Sequence, residues 1–440
     1  MAPPDEEANG LGNDSAARFY EQQNFGTIMH IIKGNLGTGV LAMPVAFSNA
    51  GILFGTVMLA VLGVICVHCM HILVKCSHYL CRKTGRDHLD YADVAEQSVH
   101  FLPSSTPKKE KAARKTVNVF LLITQYGFCC VYVLFIAKNV MLVVEKCVTH
   151  VPAVFTIQMY EIILVLFLIP LVFIKNIKHL APFSLVANVA SVVGLGIILA
   201  DILFVEKFNK ISRLPLMEDW SKIPLYFGTA IYAFEGIGVV LPVENKMREP
   251  QAFPSMFGVL NLSMTIVCVL YITVGFYGYI EYGADCQDSI TLNLESWYGT
   301  SVQVLFSLCI YVSYALQFYV PMTIIGPTLA QSRIARRIGP NAFDYLVRVV
   351  LVLVTFGIAA AVGKYLDLLI ALIGSVASAA LAIIFPPLLE IMTFWPDRKE
   401  RKYFWIMFTK DIVIMLFGVL CFVSGTAVAV MQLVQRFRGE

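Results

Sequence analysis

Apolar runs of about twenty residues alternate along this chain with shorter polar connections. Wound as α-helix, a run of that length spans the roughly 30 Å hydrocarbon core of a bilayer. Eleven such runs are read from the sequence, at 25–47, 50–75, 116–140, 156–175, 183–205, 222–242, 255–280, 299–320, 343–362, 365–389 and 405–433. None shows the apolar–polar alternation over about ten residues that a membrane β-strand requires. The pattern predicts an all-α polytopic membrane protein with eleven transmembrane helices. Pro44, Pro242, Pro321 and the pair Pro386 and Pro387 fall near run ends, where a lost backbone bond costs least.

Two of the runs are interrupted. The first contains Gly34, Asn35, Leu36, Gly37, Thr38 and Gly39 in succession, and each glycine inside a helix costs about 1 kcal/mol relative to alanine. The flanking residues are apolar enough for lipid, so the first span is expected as two half-helices. Ala233, Phe234, Glu235, Gly236, Ile237 and Gly238 interrupt the sixth span in the same way. Unpaired backbone at bilayer depth is tolerated only where protein buries it or where it lines a wet cavity. Both breaks are therefore candidate binding sites. Interruptions five spans apart fit two five-helix units of opposite orientation. These are expected at 25–205 and 222–389, with 405–433 peripheral and 1–24 a disordered cytosolic tail.

The chemistry that suits such breaks is a small zwitterion. The start of the second half-helix, around Gly37, Thr38 and Gly39, presents N–H groups and a positive dipole end to a carboxylate. Carbonyls near Lys33, Gly34 and Phe234 can accept from an ammonium group, and Gly34, Gly37, Gly39 and Gly236 let a ligand reach the backbone. Phe234 reads either as an apolar lid or as packing. Among ionisable groups within spans, His30 has an unperturbed pKa near physiological pH and suits a proton carrier, or else it is a neutral histidine bonded inside the bundle. Glu235 either carries a proton or bonds the backbone freed at Gly236. Thr124, Gln125 and Tyr126 in the third span, with Ser313, Tyr314 and Gln317 in the eighth, read as pocket lining or as interhelical hydrogen bonds. Tyr314 and Gln317 share a helix face.

Composition agrees with the span count. Of 440 residues, 58% are hydrophobic and 14% charged, where soluble domains carry about a quarter charged residues. The net charge of +3 gives no reason to expect nucleic acid as a partner; the lipid bilayer is the expected surrounding. The basic residues decide orientation. With the N-terminus cytosolic, inner loops hold Arg82, Lys83, Arg86, the run Lys108–Lys115, Lys175, Lys178, Lys246, Arg248, Arg333, Arg336, Arg337 and the run Arg398–Lys402. Outer loops hold only Lys146, Lys207, Lys210, Arg213 and Lys364, with Arg436 and Arg438 on the tail. The excess is inside, as the positive-inside rule requires. No cleavable signal peptide is expected from the polar residues 1–23.

His68 and His71 share a helix face, but no third ligand accompanies them, so neither a metal site nor any other cofactor is expected. Nothing resembles the nucleophile or acid–base constellation of an enzyme. Most of the eleven cysteines lie inside spans. Cys147 and Cys286 alone fall in outer loops and are the one plausible disulfide. The two sequons, at Asn13 and Asn261, fall in the cytosolic tail and within a span, so neither is expected to carry a glycan.

The stretches His30 to Gly39, Thr124 to Tyr132 and Phe227 to Ala230 resemble the proton-assisted amino acid transporters. So do Phe234 to Met247, Ser289 to Leu294 and Tyr314 to Pro321. These transporters belong to the amino acid/auxin permease group of the amino acid–polyamine–cation superfamily, and the likeness runs from about Phe25 to Thr393. It implies eleven spans in a five-plus-five inverted repeat with discontinuous helices 1 and 6. It implies amino acid uptake or lysosomal export, often driven by protons, at the plasma membrane or a lysosomal or endosomal membrane. His30 occupies the motif position linked to proton coupling, and the family pattern places an outer disulfide where Cys147 and Cys286 lie. The leading expectation is a secondary transporter of small neutral amino acids, coupled to protons and working by alternating access. The alternatives are a proton-independent facilitator, a sodium-coupled carrier, and a membrane amino acid sensor signalling to growth pathways.

Overall fold

The computed structural model describes residues 24, 26–148, 152, 155–175, 177–204, 214–247, 250–363 and 365–438. The expected tail up to residue 23, the basic residues Lys207, Lys210, Arg213, Arg248 and Lys364, and the sequon at Asn13 lie outside the described residues. Among the described residues all regular structure is helical. The first expected span comprises α1 (26–35), α2 (Thr38–Leu41) and α3 (Met43–Ala50). There follow α4 (Ile52–Thr84), α5 (Tyr91–His100), α6 (Pro107–Cys147), α7 (Ile157–Val172) and α8 (Ile177–Phe204). The second half holds α9 (Ile223–Ala233), α10 (Ile237–Glu244), α11 (Val259–Tyr282), α12 (Ile290–Asn293), α13 (Trp297–Ala330), α14 (Arg333–Ile338) and α15 (Pro340–Val362). The chain ends with α16 (Leu366–Ile373), α17 (Phe385–Phe394) and α18 (Phe404–Arg438).

Nine segments among the described residues are long and apolar enough to cross a membrane. The expected first span is shorter because it is broken, and the expected fourth is the 16-residue apolar helix α7. Val64, Phe167, Val186 and Leu420, all more than half exposed, face outward, as residues do where lipid rather than water is the solvent. The most enclosed segments are α9 with α10 and α16 with α17, while α18 is the least enclosed and packs on their outside.

Local chemistry explains most helix ends. Gly51, at φ 87°, turns the chain from α3 into α4, and a Cβ there would stand 2.7 Å from the Met217 backbone. The 215–218 segment closes this turn, with Ile52 N–H donating to the Pro215 carbonyl at 3.0 Å and Glu218 N–H to Ala50 at 3.0 Å. Arg82 and Lys83 occupy the last turn of α4, where cations complement the helix dipole, and left-handed Gly85 ends it.

Several boundaries differ from the sequence expectation. The loop expected between the second and third spans contains α5, which opens with a reciprocal capping box between Asp90 and Asp93. The run Lys108–Lys115 is helical, forming the first turns of the 41-residue α6 behind Thr106 as N-cap and Pro107. Helix α13 continues through Pro321 and Pro327 to Ala330. Between α16 and α17 the helix widens into two π segments, Gly374–Ser378 and Ala380–Ile384. Small residues allow α9 to press against the first of them: a Cβ on Gly374 would stand 1.9 Å from the Gly228 carbonyl oxygen. Such widening recurs at functional sites.

The expected disulfide is corrected by the structure, in which Cys147 and Cys286 are both free. The two loops do meet, since Lys138 pairs with Asp288 and Lys146 Nζ donates to the Leu294 carbonyl at 2.7 Å. Cys147, however, is exposed at the end of α6, whereas the Cys286 thiol turns inward toward the Gly278 carbonyl. Burial, with the Asp285 carboxylate second, pushes that thiol up to about 12, leaving it protonated and unreactive at neutral pH.

Candidate functional site

Helix α1 stops at residue 35, and Leu36 and Gly37 bend before α2 begins. Helix α9 stops at Ala233, and Phe234 to Gly236 separate it from α10. Both breaks occur where the glycine clusters predict them. Neither α2 nor α10 has a side-chain cap at its start. Among the described residues the N–H groups of Thr38, Gly39 and Val40, and those of Ile237 and Gly238, donate to no backbone carbonyl. The carbonyls of Gly34 and Glu235 likewise accept no backbone bond. Two segments of unpaired main chain thus lie inside an apolar bundle, where each unsatisfied polar group is costly.

The breaks touch. Gly236 sits against the Asn35 amide, close enough that a Cβ on Gly236 would lie 3.1 Å from both of its terminal atoms. The Tyr271 hydroxyl, from α11, reaches the Asn35 carbonyl at 2.6 Å and the Ala233 carbonyl at 2.7 Å. Its single hydrogen is shared between the last turn before one break and the last turn before the other. Across the gap the hydroxyls of Thr38 and Tyr232 lie 2.8 Å apart. Gly39 packs on Ala233, with 2.7 Å between a Cβ built on Gly39 and the Ala233 Cα. Only a residue without a side chain permits that approach.

The space beside Gly37 is different. A Cβ there would meet only the Tyr132 hydroxyl, at 3.8 Å, and Gln317 is a neighbour of the same hydroxyl. Phe128 stacks along Tyr132 and presents its edge to Tyr232, with ring centres 4.8 Å apart. Gly37, Gln317, Tyr132 and Tyr232 therefore surround one region at the first break. At Gly34 a Cβ would meet nothing within 4 Å.

The other expected residues fall elsewhere. The Thr124 hydroxyl bonds the Phe120 carbonyl of its own helix at 2.9 Å. The Tyr314 hydroxyl pairs with Thr355 on α15 at 2.8 Å, so Tyr314 and Gln317 serve different neighbours despite their spacing. Tyr126 lies edge-on to Phe318, and its hydroxyl has no partner; the same holds for Gln125 Oε1 and Asn35 Oδ1. Phe234 is fully buried between Tyr271 and Gly63.

Of the two ionisable groups, Glu235 is in the break itself. Its carboxyl faces Ser378 in the first π segment, near Cys66 of α4 and Tyr91 of α5. Glu235 Oε2 and the Ser378 hydroxyl are both buried without a hydrogen-bond partner. His30 is on an exposed face of α1, with Lys33 and Lys246 as its charged neighbours. Lys33 donates to the Ser184 hydroxyl of α8. His68 and His71 have separate partners, Lys410 at 2.9 Å and Asn261 at 2.7 Å.

Tyr132, Tyr232 and Tyr271 were not among the expected site residues. The available signal was a phenol inside an apolar span, since a buried tyrosine hydroxyl usually finds a polar partner.

Comparison with known proteins adds to this geometry. A family model described as "Transmembrane amino acid transporter protein" matches residues 22–431. The chain is similar to the proton-coupled amino acid transporter-like protein pathetic of Drosophila melanogaster. The two are 34% identical over 422 residues, covering 93% of this chain and 85% of that protein. It is also similar to the probable amino acid transporter skat-1 of Caenorhabditis elegans, 30% identical over 425 residues, with 93% and 90% covered.

Proposed function

The chain belongs to the transmembrane amino acid transporter protein family, and from that premise we propose that it carries small neutral amino acids across the bilayer by alternating access, coupled to protons. The support for a site at the breaks is their contact with one another through Tyr271, Asn35 and Ala233. The carboxylate of the solute is assigned to the free N–H groups of Thr38, Gly39 and Val40, and its ammonium group to the carbonyls of Gly34 and Glu235. The region beside Gly37, Tyr132 and Gln317 is assigned to the side chain, taken to be small and uncharged. Ten of eleven crossings, in two inverted five-helix units, provide the framework, with one unit rocking against the other.

Proton coupling is assigned to Glu235 and His30. Ionised Glu235 can accept from the Ser378 hydroxyl, and a proton on Glu235 reverses that bond so that the carboxyl donates. Because Ser378 lies on the π-helical segment, that bond joins the sixth-span break to the tenth span. Such a link biases one facing state over the other. The relative named a proton-coupled amino acid transporter-like protein supports proton coupling itself. The site of action is taken to be the plasma membrane or a lysosomal or endosomal membrane, with the N-terminus cytosolic.

Uptake of labelled alanine into proteoliposomes, with and without an imposed proton gradient, tests the proposal. Gradient-stimulated uptake is expected. Uptake that ignores the gradient would leave a facilitator, and saturable binding without flux would leave a sensor.

A further inference from the structure

At the basic end of the bundle, the last turns of α4, the end of α17 and the turn that follows it enclose a cavity of about 430 Å³. Five of its nine lining residues are His71, Lys75, His78, Arg82 and Arg401, and none is acidic. Two of these are answered from outside the cavity, Lys75 by Glu390 at 2.5 Å and His78 by Glu244 at 2.6 Å. Arg82 has no ion-pair partner among the described residues. The Arg401 guanidinium is stacked on the Phe394 ring at 3.9 Å, which fixes its donors without neutralising its charge. Planar guanidinium groups held in this way match phosphate oxygens in pairs.

The cavity does not stop at the polar end. His71 also lines a groove of about 530 Å³ between α4 and α11, walled by Val64, Val67, Met264, Cys268 and Val269. Val64 is 69% exposed and Val269 57% exposed, so the groove opens on the lipid-facing side. At about 1.5 Å per residue, Val64 and Lys75 are separated by about 17 Å of helix, close to the roughly 15 Å of hydrocarbon in one leaflet. A charged pocket at the interface and an apolar groove one leaflet deep form one surface with two chemistries.

We propose that this continuous surface is a binding site for an anionic phospholipid, its phosphate groups held by Arg82, Arg401 and Lys75 and an acyl chain lying along the groove between α4 and α11. Basic pockets between membrane helices suit such headgroups. The site touches the transport apparatus at three points. Glu244, the partner of His78, is the last residue of α10. Gly63 at the groove floor adjoins the Phe234 ring. Met264 lies 3.8 Å from the Asn35 amide nitrogen, which donates to its sulfur. A phosphate group competing with Glu244 for His78 frees the end of the second half-helix of the broken sixth span, so the lipid tunes how readily that helix moves.

The test uses the full chain in phosphatidylcholine nanodiscs, titrated with phosphatidylinositol bisphosphate and, separately, with water-soluble inositol trisphosphate. The wild type is expected to bind one bisphosphate lipid saturably and the soluble headgroup more weakly. The double variant Arg82→Gln with Arg401→Gln is expected to bind the lipid roughly tenfold or more weaker, since it loses two charge-assisted contacts to phosphate. Its uptake in pure phosphatidylcholine vesicles is expected to equal that of the wild type, which shows it folded. Val64→Trp, filling the groove, is expected to weaken the lipid and leave the soluble headgroup unaffected. Unchanged lipid affinity in the double variant overturns the proposal. Equal affinity for lipid and soluble headgroup overturns the acyl-chain half of it and leaves a free phosphate site.

Discussion

The Tyr271 hydroxyl lies 2.6 Å from the Asn35 carbonyl, binding the third residue before the Thr38 half-helix to a helix 236 positions later in the chain. The same hydroxyl reaches Ala233 at 2.7 Å. One hydrogen atom thus ties both interrupted spans to α11. Tyr271→Phe keeps the ring against Phe234 but strips the Ala233 carbonyl of its donor and leaves the Asn35 carbonyl with the Gly37 N–H alone, at a cost of about 1–3 kcal/mol. The variant is expected to insert normally, unfold at lower temperature in detergent, and transport several-fold more slowly. Thermal unfolding and initial uptake rates check both effects.

Gly37 and Gly39 are expected to respond differently to added bulk. Gly37 has open space beside it, ending at the Tyr132 hydroxyl, and its φ of −133° suits any residue. Gly37→Val should therefore fold, fill the region beside Tyr132 and lose substrate binding. Gly39→Ala drives a methyl into Ala233, an overpacking that costs about 1–3 kcal/mol. Its defect should appear first as lower folded yield. Ligand-induced thermal stabilisation, measured beside yield, separates the two.

Gly374 packs directly on Gly228 of the sixth span, where an added Cβ would stand 1.9 Å from the Gly228 carbonyl oxygen. Gly374→Ala has no room unless the helices separate, and it should lower stability by about 1–3 kcal/mol or more. Gly196, which has nothing within 4 Å of an added Cβ, is the control: Gly196→Ala should leave the unfolding temperature nearly unchanged.

Proton coupling through Glu235 has a definite sign. Uptake driven by protons rises as the outside becomes more acidic. Glu235→Gln holds the side chain in a neutral form that can always donate to Ser378, so uptake should lose most of its pH dependence. His30→Ala should lower uptake most at acidic outside pH. Labelled alanine uptake across an acidic-to-neutral series reads both variants, and a wild-type slope in either removes that residue from the coupling.

Much of the architecture was legible in the chain because glycine leaves a mark wherever it interrupts an apolar run. The clusters at Gly34–Gly39 and at Glu235–Gly238 announced both breaks, and the spacing of long apolar runs announced the bundle. What the clusters did not disclose is how the breaks are joined. Tyr271 sits in an apolar run like many others, and its partners are far away in sequence. The π segments were hidden for a related reason: Gly374, Ser375 and Ala377 read as ordinary small helix residues until α9 is packed against them. Tyr314 and Gln317 show the limit of periodicity, since residues on one face of α13 still reach different partners, Thr355 and the Tyr132 region. The cysteine expectation differs from the structure because two loops can meet through Lys138 and Asp288 while Cys147 stays exposed and the Cys286 thiol turns to the Gly278 carbonyl.

The central claim is that the two facing breaks hold the solute through unpaired main-chain groups. A density map of the chain in lipid nanodiscs at saturating alanine tests it most directly. The account predicts density for the solute between the N–H groups of Thr38 to Val40 and the carbonyls of Gly34 and Glu235, beside Tyr132. Solute density elsewhere in the bundle, or first and sixth spans wound without interruption, would contradict it.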